Sequence, residues 1–115
     1  MDLESLEEIA AFIVADGKGI LAADESNPTC GKRFKSIGVE STEDNRRDYR
    51  EMLFRAEGVK NNVGGVILFD ETIRQKAGDG TRLVDLIASQ GALPGIKVDK
   101  GLKPLDDSPE ETVTQ

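Results

Sequence analysis

The sequence predicts an α/β fold made of parallel βαβ units. Two observations carry this expectation. Short apolar runs at Gly19–Ala23, Gly64–Phe69 and Gly95–Gly101 alternate with longer stretches whose apolar residues recur at helical spacing, which is the pattern of strands joined by crossover helices. Each run also stops abruptly in charged or hydroxyl residues: Asp24-Glu25-Ser26, Asp70-Glu71-Thr72, and Lys97 through Lys100. In parallel α/β folds the carboxyl ends of all strands lie on one side, and ligands bind there.

The elements follow in order. Asp2 to Ala15 carries Leu3, Leu6, Ile9, Ala10, Ile13 and Val14 at three- and four-residue spacing, with Ser5 and Glu8 placed for a capping box and Asp16-Gly17-Lys18-Gly19 as the break. Gly19–Ala23 is the first strand. Pro28 sets the start of a second helix that runs to about Ile37 and stops at Gly38. Ser41-Thr42 before Glu43-Asp44 caps a third, continued by Tyr49, Met52, Leu53 and Ala56 and ended by Gly58. Its arginines, Arg46, Arg47 and Arg50, are expected on a solvated face, paired with nearby acids. Gly64–Phe69 is the clearest buried strand. Thr81 to Gln90 forms a further helix with Leu83, Val84, Leu86 and Ile87 as its packing stripe.

The last run, Gly95–Gly101, is unusual because it holds two charges. Ile96 and Val98 point to one face, Lys97 and Asp99 to the other. Two readings stay open from this stretch alone: a structural ion pair at a strand end, or a lysine aimed at a phosphate or carbonyl. Residues 102–115 are rich in proline and acids and are expected to form a loop. Three parallel strands leave both sheet edges open. The sequence therefore reads as the beginning of a larger α/β domain.

Composition narrows the chemistry. The chain has 115 residues, 15 Lys and Arg against 22 Asp and Glu, no histidine and one cysteine, Cys30. A formal net charge of −7 argues against nucleic acid as a partner. With one cysteine and no histidine, neither an internal disulfide nor a histidine-based triad is available, and no metal site is expected. No apolar run reaches the ~20 residues of a membrane span, and no signal or transit peptide is evident. A cytoplasmic protein is expected, with a plastid origin left open. Catalysis must then rest on lysine, carboxylates and hydroxyls. The strand-end residues suit a sugar phosphate. Ser26 and Thr29 offer hydroxyls near a helix start, Lys97 and Arg33 supply positive charge, and Asp24 can handle a proton or orient a hydroxyl. There is no phosphate-binding Gly-x-x-x-x-Gly-Lys-[Ser/Thr] loop and no Gly-x-Gly-x-x-Gly.

These residues also carry a family resemblance. Gly17-Lys18-Gly19-Ile20-Leu21-Ala22-Ala23-Asp24-Glu25-Ser26 resembles the first strand of class I fructose-bisphosphate aldolase. The similarity continues through Gly31-Lys32-Arg33, Ser36-Ile37-Gly38, Glu43-Asp44-Asn45-Arg46-Arg47, Gly65-Val66-Ile67-Leu68-Phe69, Glu71-Thr72 and Gln75-Lys76 to Gly95-Ile96-Lys97-Val98-Asp99-Lys100-Gly101. Asn27-Pro28-Thr29-Cys30-Gly31 departs from the commonest animal pattern and is similar to plastid and bacterial members.

The resemblance implies a (β/α)₈ TIM barrel of which residues 1–115 form the N-terminal part of one domain: a leading helix over 1–16, three strand–helix units over 17–101, and a loop over 102–115. It implies reversible aldol cleavage of fructose 1,6-bisphosphate, without cofactor, by an enzyme that is a homotetramer at full length. Asp24 is implied beside the Schiff base and Lys97 at the barrel centre against substrate. Ser26, Thr29, Arg33 and Arg46 match positions around the sugar phosphate. The family's Schiff-base lysine, on the sixth strand, has no counterpart in these residues. Two other readings are weighed beside the enzyme: a non-catalytic sugar-phosphate-binding or assembly fragment, and an independently folded phosphate-binding module.

Overall fold

The computed structural model describes residues 3–115. In chain order the elements are α1 (Leu6–Ile13), β1 (Gly19–Ala23), α2 (Asn27–Lys35), α3 (Glu43–Arg55), α4 (Glu57–Asn62), β2 (Val63–Leu68), α5 (Asp70–Ile73), α6 (Leu83–Ser89), β3 (Leu93–Ile96), β4 (Leu102–Leu105) and β5 (Ser108–Thr114). β1, β2 and β3 form one sheet in that order, and both pairings are parallel. The expected βαβ architecture is present: the three strands of this sheet are short and apolar, β1 and β3 run directly into charged residues, and β2 runs into Phe69 and then Asp70.

Alternation along the strands sends side chains to two different surroundings. Ala23, Val66 and Leu68 face α3 and α6 and pack with Phe54, Leu83 and Ile87 into the core. Phe54, Leu68, Leu83 and Ile87 are wholly removed from solvent, so this layer supplies most of the apolar burial. On the opposite face, Ile20 remains 49% exposed and Ala22 and Gly95 are also exposed. Only the helix-facing side of the sheet is filled.

α1 closes the amino end of that open face. Its cap is half of the expected box. Ser5 Oγ accepts from the Glu8 amide at 3.1 Å, but the Glu8 carboxylate takes the amide of Glu4 rather than that of Ser5. The helix also occupies less than the predicted span, and Asp2, assigned to it from sequence, lies outside the described residues. Ile9 and Ile13 sit over Ile20, Ile67 and Leu93 and leave an apolar hollow of about 160 Å³ between helix and sheet. Gly64 makes this approach possible. A Cβ there would stand 2.5 Å from the Ile13 carbonyl oxygen, closer than backbone atoms tolerate.

Four other expectations are corrected. α3 ends at Arg55, where Ala56 turns extended, and Gly58 lies inside the separate short helix α4. The Thr81–Gln90 helix shortens to Leu83–Ser89. β3 ends at Ile96, so Lys97 and Asp99 follow the strand instead of lying within it. Residues 102–115 are a hairpin: β4 and β5 pair antiparallel through Leu102–Thr114, Lys103–Val113 and Pro104–Thr112, and the Lys100 amide donates to the Gln115 carbonyl at 2.8 Å. All of β4 is exposed. Backbone pairing rather than burial holds the hairpin, which is why a polar sequence concealed it.

Replacing Gly64 by Ala is expected to lower stability by about 1–3 kcal/mol, because α1 must lift from the sheet. Gly19→Ala has nothing within 4 Å of its new methyl and serves as the control. Thermal unfolding distinguishes the two, and equal midpoints would contradict the close approach.

Candidate functional site at the carboxyl ends of the strands

The last paired residues are Ala23 with Leu68 and Leu68 with Ile96. One step farther along each strand stand Asp24, Phe69 and Lys97. By alternation these three share the open face, in one row at the carboxyl end. The row is tied at one side, since the Lys97 amide donates to the Leu68 carbonyl at 2.9 Å. The expectation that the polar strand ends gather at one end of one sheet is met by this topology, with Phe69 of β2 standing between Asp24 and Lys97.

Lys97 Nζ donates to Asp99 Oδ1 at 2.6 Å, and Asp99 Oδ2 accepts the Gly101 amide at 3.0 Å. Both side chains are about one-third exposed (30% and 31%), so the pair lies at the rim of the open face. The hydrogen bond to Asp99 pushes the Lys97 pKa up, and the Asp24 charge acts in the same direction. Lys97 is therefore a fixed ammonium, suited to bind an anionic oxygen. Its bond to Asp99 is also the ion pair that the sequence left as one of two readings.

Beyond β1 the chain turns directly into α2, with Ser26 as its N-cap residue. Ser26 does not cap through its side chain. Its hydroxyl and that of Thr29 bond each other at 3.1 Å, which brings the two predicted hydroxyls together beside the Asp24 turn. Arg33, one turn farther along α2, meets Glu25 at 2.5 Å with its own side chain 60% exposed.

The arginines of α3 are the main surprise. Arg50 is fully buried and Arg46 nearly so, against the expectation of a solvated face. Only Arg47 fits that expectation, bonding its neighbour Asp48. Arg46 reaches Glu71 with two parallel bonds of 2.7 and 2.8 Å and also donates to Ser41. Arg50 donates to the carbonyls of Ala23 at 3.2 Å and Glu25 at 2.7 Å, and lies 3.7 Å from the Glu25 carboxylate. Tyr49 Oη completes the set by donating to Glu25 Oε2 at 2.9 Å. Burial, followed by this bond to a carboxylate, raises the Tyr49 pKa.

Arg46, a predicted phosphate ligand, is thus engaged by Glu71 at the end of β2. Glu25, Tyr49, Arg50 and Glu71 are site-building residues that sequence reasoning did not select. The available signal was spacing, because Arg46, Arg50 and Phe54 lie four apart on one face of α3. Among the described residues, no three carboxylate, cysteine or histidine side chains converge on a metal position. Nor is any described helix long and apolar enough to cross a membrane.

The Arg46 hydrogen bond holds the Glu71 carboxyl below the usual carboxylate range. A folded value below the unfolded one means that the stabilisation is present at neutral pH and is lost as pH falls through the folded value. Glu71→Gln is expected to flatten that acid loss of stability. It should also cost roughly 3 kcal/mol at neutral pH, since Arg46 is left buried without its counter-charge. Denaturant titrations at stepwise lower pH check this, and an unchanged acid limb would contradict it.

Comparison with known proteins gives the frame for this geometry. The family described as fructose-bisphosphate aldolase class-I matches residues 5–115. Fructose-bisphosphate aldolase of Drosophila melanogaster is 57% identical over 113 residues, covering 97% of this chain and 31% of that protein. A chloroplastic aldolase of Chlamydomonas reinhardtii is 51% identical over 109 residues, 95% of this chain and 29% of its own. Among solved structures, aldolase from Plasmodium falciparum, in complex with TRAP and a small-molecule inhibitor, superimposes with a TM-score of 0.86 at 46% identity, covering 93% of this chain and 31% of that one. The chain therefore spans about a third of the relatives it matches, and its sheet is an incomplete TIM barrel. On this evidence it belongs to the class I fructose-bisphosphate aldolase family.

Proposed function

We propose that these residues are the first third of an enzyme that reversibly cleaves fructose 1,6-bisphosphate into two triose phosphates. The observation that supports this most is the row formed by Asp24 and Lys97 on the open face of the sheet. One group can carry a proton and the other is a permanent cation, both at the strand ends where a barrel binds its ligand. In this reading Asp24 lies beside the imine and orients the reacting hydroxyl. Lys97 holds an oxygen of the substrate. Ser26 and Thr29 contact the sugar-phosphate chain, and Arg33, steadied by Glu25, draws a phosphate. Arg46, matched by the resemblance to the phosphates, is instead buried against Glu71 and holds the frame behind the strands.

The imine-forming amine comes from outside these 115 residues, and no cofactor is needed. Without that nucleophile the covalent step has no electron sink. The chain alone therefore acts as a barrel fragment and not as a catalyst. Its open sheet face, with Ile20 half exposed, suits association with the rest of a barrel. The complete protein we take to be a homotetramer in the cytoplasm. The plastid is the alternative that the Chlamydomonas relative suggests.

Two measurements test this. The 115-residue chain alone is expected to give no turnover above background in a coupled aldolase assay. Substituted for the corresponding first third of the Drosophila relative, it should support cleavage. Asp24→Asn should then lower kcat by about 10²- to 10⁴-fold, the range for a positioned acid–base group. Turnover by the isolated chain, or full activity of the D24N chimera, would overturn the assignment.

A further inference from the structure

The side chain of Arg50 is unusual because it spends a buried charge on two backbone carbonyls. Its Nε donates to the Ala23 carbonyl at 3.2 Å and its Nη2 to the Glu25 carbonyl at 2.7 Å. Those are the residues on either side of Asp24. Sheet pairing of β1 ends at Ala23–Leu68, so Asp24 lies beyond the ladder that fixes the rest of the strand. The guanidinium spans this gap and holds the chain just before and just after Asp24. We propose that Arg50 is a positioning residue, which sets where the Asp24 carboxylate stands by clamping the backbone around it.

Three features favour a clamp over a simple buried ion pair. The Glu25 carboxylate is 3.7 Å away, beyond hydrogen-bond distance, whereas both carbonyls are within it. That carboxylate is also shared with Arg33 and with Tyr49 Oη, so it is not reserved for Arg50. The face of the Tyr49 ring lies 5.5 Å from the guanidinium carbon, and Phe34 in turn meets Tyr49 edge-on at 5.6 Å. The fork is thus fixed from one side by an aromatic stack and from the other by the helix that carries it. A guanidinium presents donors in a rigid plane with the span of two carbonyls, which an ammonium on a flexible stem does not. Burying a cation for this purpose is costly, and stability would be served as well by an apolar side chain and an ordinary turn. The arrangement makes sense as support for a group whose location matters.

The inference rests on the aldolase reading of Asp24, and its test separates the two. In the Drosophila chimera carrying this chain, Arg50→Lys keeps the charge and removes the two-pronged span. Arg50→Gln keeps a neutral donor, in case the ammonium is not accommodated. Rates are expressed per folded protein, with thermal midpoints measured in parallel. The expected result is a fall in kcat of about 10- to 100-fold with KM changed little, the effect of displacing a reacting group by a fraction of an ångström to an ångström. The decisive reading is the double-mutant cycle: in the D24N background the Arg50 substitutions should cost almost nothing more, because there is no carboxylate left to position. An undiminished kcat, or an equal fall with and without Asp24, would overturn the clamp while leaving the aldolase reading intact. Full activity of the single D24N variant would overturn both.

Discussion

The contact on which the other features depend is the one between α3 and the carboxyl ends of β1 and β2. Arg46, Arg50 and Phe54 lie four residues apart on that helix and all face the sheet. Phe54 joins the apolar core, Arg46 grips Glu71 just past β2, and Arg50 grips the backbone just past β1. One helix face therefore sets the separation of two strand ends. Apolar packing alone would leave them free to slide, since dispersion contacts lack direction. Bidentate guanidinium bonds have direction, and they fix register as well as distance.

That arrangement divides the sheet into two functions. The helix-facing side provides stability through Leu68, Leu83, Ile87 and Phe54, all without solvent exposure. The other side is covered by α1 at its amino end, where Gly65 lies beneath Ile13, and is open beyond it, with small residues at Ala22 and Gly95, ending in Asp24 and Lys97. A face that must later line a barrel cannot also be the hydrophobic anchor of the fragment. The polar clamps behind the strand ends meet this constraint. They hold the strand ends from the covered side and leave the other side open.

Much of this was legible in the sequence. The strands were readable because they are apolar runs bounded by glycine and by charges, and the parallel order followed from the helices between them. The placement of Asp24 and Lys97 at the same end of the sheet follows from the strand ends alone. The start of α3 follows from its Thr42 cap, but the face it turns to the sheet does not, because Tyr49, Met52 and Leu53 suggest an apolar stripe that leaves Arg50 outside. Met52 is 62% exposed, and Arg50 is fully buried. The hydrophobic pattern ranks residues by transfer from water, and it has no means of expressing an arginine whose hydrogen bonds are all supplied by one turn of chain. The hairpin was missed for a related reason. Its strands bury almost nothing, and cross-strand backbone bonds leave no trace in residue polarity.

The same reasoning explains why the ion pair of Lys97 does not exclude its second reading. Its ammonium is paired with Asp99, which is the structural reading, and by alternation it stands in the row with Asp24 at the open face. An ion pair at the rim of an open face is easily shared with an incoming anion, because neither partner is deeply desolvated and the carboxylate can swing to the Gly101 amide it already accepts. A buried pair such as Arg46 with Glu71 has no such freedom. The depth of each pair therefore separates them: the pair behind the strands holds the frame, and the pair at its mouth keeps the freedom to change partners.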